Sequence, residues 1–309
     1  MATSSDQDTS GTAPVPLSRI AVASFIGTAI EFYDFYIYGT AAALVFSDAF
    51  FPELSDAAAL LASLSTFAVA FLSRPIGSVL FGHWGDRIGR KSMLIASLLL
   101  MGLSTFAIGL LPGYAAIGIG APLLLVSLRF LQGIGLGGEW GGAALLATEH
   151  APPGKRGLYA LFPQLGAPAG FILANVLFLL LDVTLSDEAF ASWGWRIPFL
   201  ASIVLVAVGM YVRVRISETP VFEQAMKAKQ QSKIPFVDLM TGQWRELLLG
   251  AGIMVIQYAL FYTATTYMLA YGTDVGIDRS TMLGLTLVGM VALAACVFVS
   301  GRLSDRIGR

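Results

Sequence analysis

Apolar residues fill eight long runs, 20–46, 59–82, 92–111, 121–147, 158–181, 196–216, 246–270 and 281–300, separated by shorter polar stretches. A helix needs about 20 mostly apolar residues to cross a bilayer. The runs are continuous rather than alternating, Ser92–Leu111 being a clear case, which argues against the roughly ten-residue alternating strands of a membrane barrel. Helix is also favoured energetically, because a backbone in lipid must satisfy its polar groups within its own segment. The pattern predicts an all-α membrane protein with eight spans. Residues 1–19, rich in Ser, Thr, Asp and Pro, read as a disordered tail without the basic start of a cleavable signal peptide. Residues 217–245, with Lys227, Lys229 and Lys233, read as a linker between two hydrophobic parts, 20–216 and 246–309, and as partly amphipathic helix.

Composition agrees. With 56% hydrophobic and 13% charged residues and a mean hydropathy of +0.74, the chain lies far from soluble domains, which carry about 25% charged residues. An ordinary cytosolic enzyme, a disordered chain and a nucleic-acid-binding domain are excluded. A net charge of −1 gives no attraction for a polyanion. A single cysteine, Cys296, rules out a disulfide framework, and two histidines, His83 and His150, leave little for metal chemistry. No Walker A, His-x-x-x-His or Gly-x-Ser-x-Gly pattern points to an enzyme.

Charge also orients the chain. With the amino terminus in the cytoplasm and sides alternating, fifteen of the nineteen Lys and Arg residues fall on the inner side. Arg196 and Arg279 fall outside, and Arg74 and Arg129 lie within spans. This is a strong positive-inside bias, and one missed span would scramble it. Trp193 and Trp195 then fall at an outer interface, where an aromatic belt is expected.

One motif occurs twice. The segments Gly82-His83-Trp84-Gly85-Asp86-Arg87-Ile88-Gly89-Arg90 and Gly301-Arg302-Leu303-Ser304-Asp305-Arg306-Ile307-Gly308-Arg309 both read G-x-x-x-D-R-I-G-R, 219 residues apart. Each follows the second span of its part, so the chain contains a parallel internal duplication. If the two parts are alike, six spans in the first imply six in the second. The expectation is a C-terminally truncated piece of a twelve-helix protein with eight helices present. Within the motif, Gly82 permits close helix approach, Gly89 a tight turn, Asp86 a cap or local pair, and the arginines face an anionic leaflet.

Together with Glu31-Phe32-Tyr33-Asp34-Phe35-Tyr36, Arg74-Pro75-Ile76-Gly77, Arg129-Phe130-Leu131-Gln132-Gly133, Gly137-Gly138-Glu139-Trp140-Gly141-Gly142 and Trp193-Gly194-Trp195-Arg196-Ile197-Pro198, the motif resembles the major facilitator superfamily. It is most similar to the metabolite:proton symporter branch of α-ketoglutarate, shikimate, citrate and proline/betaine carriers. The resemblance covers about residues 20–309. It implies two six-helix bundles rocking around a central cavity lined by helices 1, 4, 7 and 10, in a multi-pass protein of the inner membrane. It also implies that Glu149 pairs with Arg87 or Arg90 as an inner gate latch, with Arg306, Gly308 and Arg309 matching Arg87, Gly89 and Arg90 in the second copy.

Five ionisable residues lie within spans: Glu31, Asp34, Arg74, Arg129 and Glu139. Each costs roughly 2.5–3.5 kcal/mol at a helix centre, so together they mark a polar interior. Glu31 and Asp34, at i and i+3, share a face with Tyr38. Two carboxylates so close cannot both ionise cheaply, which suits proton coupling; a helix–helix hydrogen bond or a pair with an arginine is the alternative. Arg129, Gln132 and Glu139 share a face of the fourth span. Arg129 suits either an ion pair with a first-span carboxylate or a bidentate grip on a substrate carboxylate. For Arg74, snorkelling and local pairing stand beside function. Gly133-x-Gly135-x-x-Gly138 matches the dinucleotide fingerprint only formally, since it lies in a membrane helix; Gly133-x-x-x-Gly137-x-x-x-Gly141 reads as a close-packing face. Gln164 on the fifth span and Tyr258 and Tyr262 on the seventh are further cavity candidates, whereas Asn175 fits an interhelix hydrogen bond.

The expected function is a secondary transporter, a symporter that carries a small polar metabolite, anion or zwitterion, inward with a proton by alternating access. The proton is the coupling ion and no cofactor is needed. The partners expected are a small-molecule substrate and the lipid bilayer, with no nucleic acid, around a monomer. An exporter or antiporter and a non-transporting membrane sensor are the alternatives.

Overall fold

The computed structural model describes residues 17–88, 90–137, 156–215 and 242–307. Among these there is no strand, and eight long helices follow the eight apolar runs. They are α1 (Leu17–Leu44), α2 (Asp56–Ile88), α3 (Arg90–Leu110), α4 (Gly120–Gly137), α5 (Arg156–Thr184), α6 (Arg196–Arg215), α7 (Trp244–Tyr262) and α8 (Arg279–Ile307). Helix α7 continues through a π-helical turn, Thr263–Tyr267, into Met268–Asp274. A second π-helical turn, Phe190–Gly194, precedes α6. The end of the fourth run, most of the linker and most of the tail lie outside the described residues.

Six described helices are long and apolar enough to cross a membrane, or seven if the bent pair Asp187–Gly194 and Arg196–Val212 is one span. The difference from the eight expected spans is α1, whose apolar run is diluted by Glu31, Asp34 and three tyrosines. That helix is instead the core: every residue from Tyr33 to Ala43 is buried.

Lipid tails are as apolar as leucine, so membrane helices associate through close packing and interhelical hydrogen bonds rather than hydrophobic burial. Both devices are present. A Cβ at Gly133 would lie 1.9 Å from Ser73 Oγ, and one at Gly137 would lie 2.2 Å from the Arg74 carbonyl. The glycine face of α4 therefore lets the backbone of α2 approach, and the nucleotide-loop reading fails because Gly133 and Gly135 sit inside a regular helix. Helix α1 packs mainly on α5. There Thr40 donates to Asn175 Oδ1 at 2.9 Å, and Tyr33 donates to the Pro198 carbonyl on α6 at 2.8 Å.

One belt expectation fails. Trp193 is exposed, but Trp195 is buried. Its ring meets Phe46, Phe50 and Phe199 in edge-to-face contacts, so aromatic packing within the bundle outcompetes the interface.

Helix α8 enters by a tight turn. Gly276 takes a φ of 91°, a left-handed conformation that glycine adopts without steric cost. Asp278 then caps the helix, accepting from the Thr281 amide at 3.3 Å. The Ser280 hydroxyl and the Thr281 amide hold its carboxyl below the ordinary aspartate value.

Candidate functional site

Asp34 on α1, Thr105 on α3, and Gln132 and Arg129 on α4 form one buried chain of polar groups, each at most 1% exposed. The Thr105 hydroxyl lies 3.2 Å from Asp34 Oδ2 and 3.0 Å from the Met101 carbonyl. Gln132 donates from Nε2 to Thr105 Oγ1 at 2.9 Å, and its Oε1 accepts from Arg129 Nη1. The arginine thus reaches Asp34 through Gln132 and Thr105 rather than by a direct ion pair, one of the two roles open to it.

An aromatic box holds the guanidinium. Arg129 Cζ lies 3.9 Å from the Tyr38 ring centroid, 4.8 Å from Phe35 and 5.0 Å from Phe67. A cation over ring faces recovers energy without water. The Tyr38 hydroxyl donates to Thr66 at 2.6 Å, which fixes one wall. Arg74 leans on the same Phe35 ring at 5.2 Å and on Phe71 at 5.3 Å, so its guanidinium packs beside the box rather than snorkelling. Tyr262 closes the box from α7, 5.4–5.8 Å from Phe35, Phe67 and Phe71. Several polar atoms have no hydrogen-bond partner among the described residues: Asp34 Oδ1, Tyr36 Oη, Arg74 Nε, and Arg129 Nε and Nη2. Buried polar groups are normally paired, so this concentration marks a place that a ligand or proton can complete.

Residues 24–309 match the family profile described as Major Facilitator Superfamily. The chain belongs to that superfamily. It is 57% identical over 297 residues to the inner membrane metabolite transport protein YhjE of Escherichia coli (strain K12), covering 94% of this chain and 68% of that protein. It is 43% identical over 296 residues to the shikimate transporter of the same organism, covering 94% and 67%. A partially occluded, inward-open structure of the xylose transporter XylE from E. coli superposes with a TM-score of 0.71 at 20% identity, over 95% of this chain and 74% of that one; this likeness concerns the fold. The protein is a metabolite transporter of the major facilitator superfamily, a multi-pass membrane protein and not an enzyme.

Three elements of this transporter, α1, α4 and α7, therefore meet at the box, through Asp34, Tyr38, Arg129, Gln132 and Tyr262. Glu31, one turn before Asp34, is also buried. Tyr258 stacks on Tyr262 at 6.1 Å but is more exposed. Gln164 is exposed on α5 and does not join the cluster. Glu139, Glu149, Gly89, Gly308 and Arg309 lie outside the described residues, as do the side chains of Asp86, Arg87 and Arg90.

The leading glycines of the two motif copies differ in their described surroundings. A Cβ at Gly82 would meet nothing within 4 Å, so the close approach expected there is not made among the described residues. At Gly301 a Cβ would lie 2.1 Å from Leu161 on α5. One turn on, Asp305 accepts from the backbone amides of Gly157 and Leu158 at 2.7 and 2.8 Å. This places a carboxylate on the N-terminus of α5, where free amides and the helix dipole favour an anion. Arg306 stays exposed. At the opposite end of the same helix pair, Arg279 Nη1 meets Asp182 Oδ1 at 2.8 Å and Asp187 Oδ1 at 3.5 Å, beside a cavity of about 600 Å³.

The reading of the sequence missed Thr105, the phenylalanine walls and the Arg279–Asp182 pair. Phe35 sits between the two quoted acids and Tyr38, so its place on α1 was visible. The partners of Thr105 and Arg279 come from helices remote in sequence and left no local signal.

Proposed function

We propose that this transporter is a proton-coupled symporter that moves a small polar metabolite, an organic anion or zwitterion, inward by alternating access. The observation that carries the reading is the buried Asp34–Thr105–Gln132–Arg129 chain with unpartnered atoms at both ends. When Asp34 binds a proton, its negative charge disappears from the box and the guanidinium of Arg129 loses its counter-charge. Arg129 then favours an anionic group of the substrate. When substrate and proton leave, the two side chains neutralise each other again. Glu31, on the same face, serves the same exchange. The relatives named as shikimate and proline/betaine transporters have substrates bearing a carboxylate, and a solved structure with the same fold is titled a proton:xylose symporter.

We further propose that the amino terminus is cytoplasmic, that residues 20–216 form one six-helix bundle and that residues 246–309 begin a second. The Asp305 end then faces the cytoplasm and the Arg279 end faces outward. The transporter works as a monomer in the inner membrane, with the substrate, the proton and the lipid as its partners.

A membrane potential of 100 mV supplies about 2.3 kcal/mol per charge moved, or roughly fifty-fold accumulation. The test is uptake by the reconstituted full-length protein under an inward proton gradient, with labelled dicarboxylates, shikimate, betaine, proline and a sugar. Gradient-driven accumulation of one compound is expected. Asp34→Asn and Glu31→Gln should abolish accumulation while sparing exchange of that compound. Full accumulation by both variants refutes the coupling role, and loss of gradient dependence in the native protein refutes symport. No uptake of any compound, with efflux instead, would make it an exporter.

A further inference from the structure

Helix α8 is tied to α5 at two places almost its full length apart. Asp305 caps the first turn of α5, and Arg279 holds its last turn through Asp182. The two contacts differ in chemistry. The Asp305 contact is a charge on backbone amides, which any rigid shift of the helices along their axes breaks. The Arg279 contact is a charge-assisted hydrogen bond between partly buried groups, with exposures of 26% and 11%. It is supported from beneath by the buried Phe190 ring, 4.5 Å from the guanidinium. Phe190 begins the π-helical turn ahead of α6, and the capped turn at Gly276–Asp278 delivers Arg279. Three separate local structures therefore converge on one ion pair joining the first part of the chain to the second. Asp187, 93% exposed, adds little, because solvent screens it.

We propose that Arg279 and Asp182 form the latch of the outer gate, a positioning pair whose separation opens the transporter to the outside while Asp305 keeps the inner end shut. The inference rests on the orientation proposed above but not on the identity of the substrate or on proton coupling. Both contacts are made in this structure. Opening either end costs its own latch, so weakening the outer one shifts the population outward and favours the inner contact.

The test needs no substrate. In the full-length protein with Cys296→Ser, a reporter Ala270→Cys is placed at a buried position on the helical segment ahead of the Gly276 turn (Ala270 is 2% exposed). A second reporter, Leu161→Cys, sits at the buried Gly301 contact. Labelling by a membrane-impermeant maleimide is followed in right-side-out and inside-out vesicles. Arg279→Gln is expected to raise the outer labelling rate of Ala270→Cys about tenfold. Leu161→Cys should be labelled no faster. Asp182→Asn should act alike, and the double variant no more strongly than either single one, as for two halves of one contact. Asp187→Asn should change the rate less than about twofold. Unchanged outer labelling in Arg279→Gln, or additive effects of the two substitutions, overturns the latch. Faster labelling at both reporters also overturns it, since that is general loosening. Labelling of Ala270→Cys only from the cytoplasmic face overturns the orientation and the proposal with it, leaving the accumulation experiments to judge proton coupling separately.

Discussion

Gln132→Leu is the sharpest probe of the buried chain. Leucine is close in volume to glutamine, so the substitution removes polar contacts without opening a cavity. Two strong contacts disappear, together with a long 3.5 Å bond from Nε2 to the Asp34 carbonyl. The first is the acceptor for Arg129 Nη1, a hydrogen bond to a charged group worth about 1.5–3 kcal/mol. The second is the 2.9 Å bond to Thr105, a neutral one worth about 0.5–1.5 kcal/mol. Arg129 is fully buried and already leaves Nε and Nη2 without partners, so no neighbouring group replaces the lost acceptor. The expected loss is about 2–4.5 kcal/mol of unfolding free energy. Thr105→Val removes the shared bond, the link to Asp34 and the 3.0 Å contact with the Met101 carbonyl, at about 1–3 kcal/mol. Because the Gln132–Thr105 bond would be counted in both single variants, the double variant should cost less than their sum by about 0.5–1.5 kcal/mol. The assay is unfolding of the purified protein in mixed micelles, measured for the native protein, both single variants and the double. A Gln132→Leu protein within about 0.5 kcal/mol of native, or strictly additive losses, would refute the continuous chain from Arg129 to Asp34.

The remaining predictions concern packing and an orphaned hydroxyl. Gly137→Leu should destabilise the protein by several kcal/mol and separate α4 from α2, since even a Cβ there would lie 2.2 Å from the Arg74 carbonyl. Gly82→Ala should be nearly neutral, because nothing among the described residues lies within 4 Å of its Cβ position; the pair of thermal-stability measurements checks both, and a similar loss at the two sites contradicts the packing. Tyr36→Phe should leave stability unchanged or raise it by up to about 1 kcal/mol, because the buried hydroxyl has no partner to lose among the described residues. A fall in apparent substrate affinity in that variant, measured in the exchange assay, would place the hydroxyl on the substrate, whereas a fall in stability would show a hydrogen bond that the structure lacks.

Much of the architecture was legible because the bilayer imposes it. A span must be about 20 apolar residues long and must satisfy its own backbone, so the eight helices could be read from the apolar runs, although Glu31, Asp34 and three tyrosines make α1 less apolar than an ordinary span. Charges are so costly in a span that Glu31, Asp34 and Arg129 identified themselves, and helical period put Arg129 and Gln132 on one face. The close-packing role of Gly133 and Gly137 was legible for the same reason, because small residues four apart have few other uses in a membrane helix.

What only the tertiary structure decided is how these groups meet. Arg129 faces Asp34 through Gln132 and Thr105, and aromatic rings from α1, α2 and α7 replace the water around its guanidinium. Trp195 leaves the interface for the core, and Arg279 finds Asp182 across 97 residues of chain. None of these follows from local pattern. Periodicity specifies which face of a helix is polar or apolar. The partner of each face depends on how whole helices cross, and that is set by packing summed along their length.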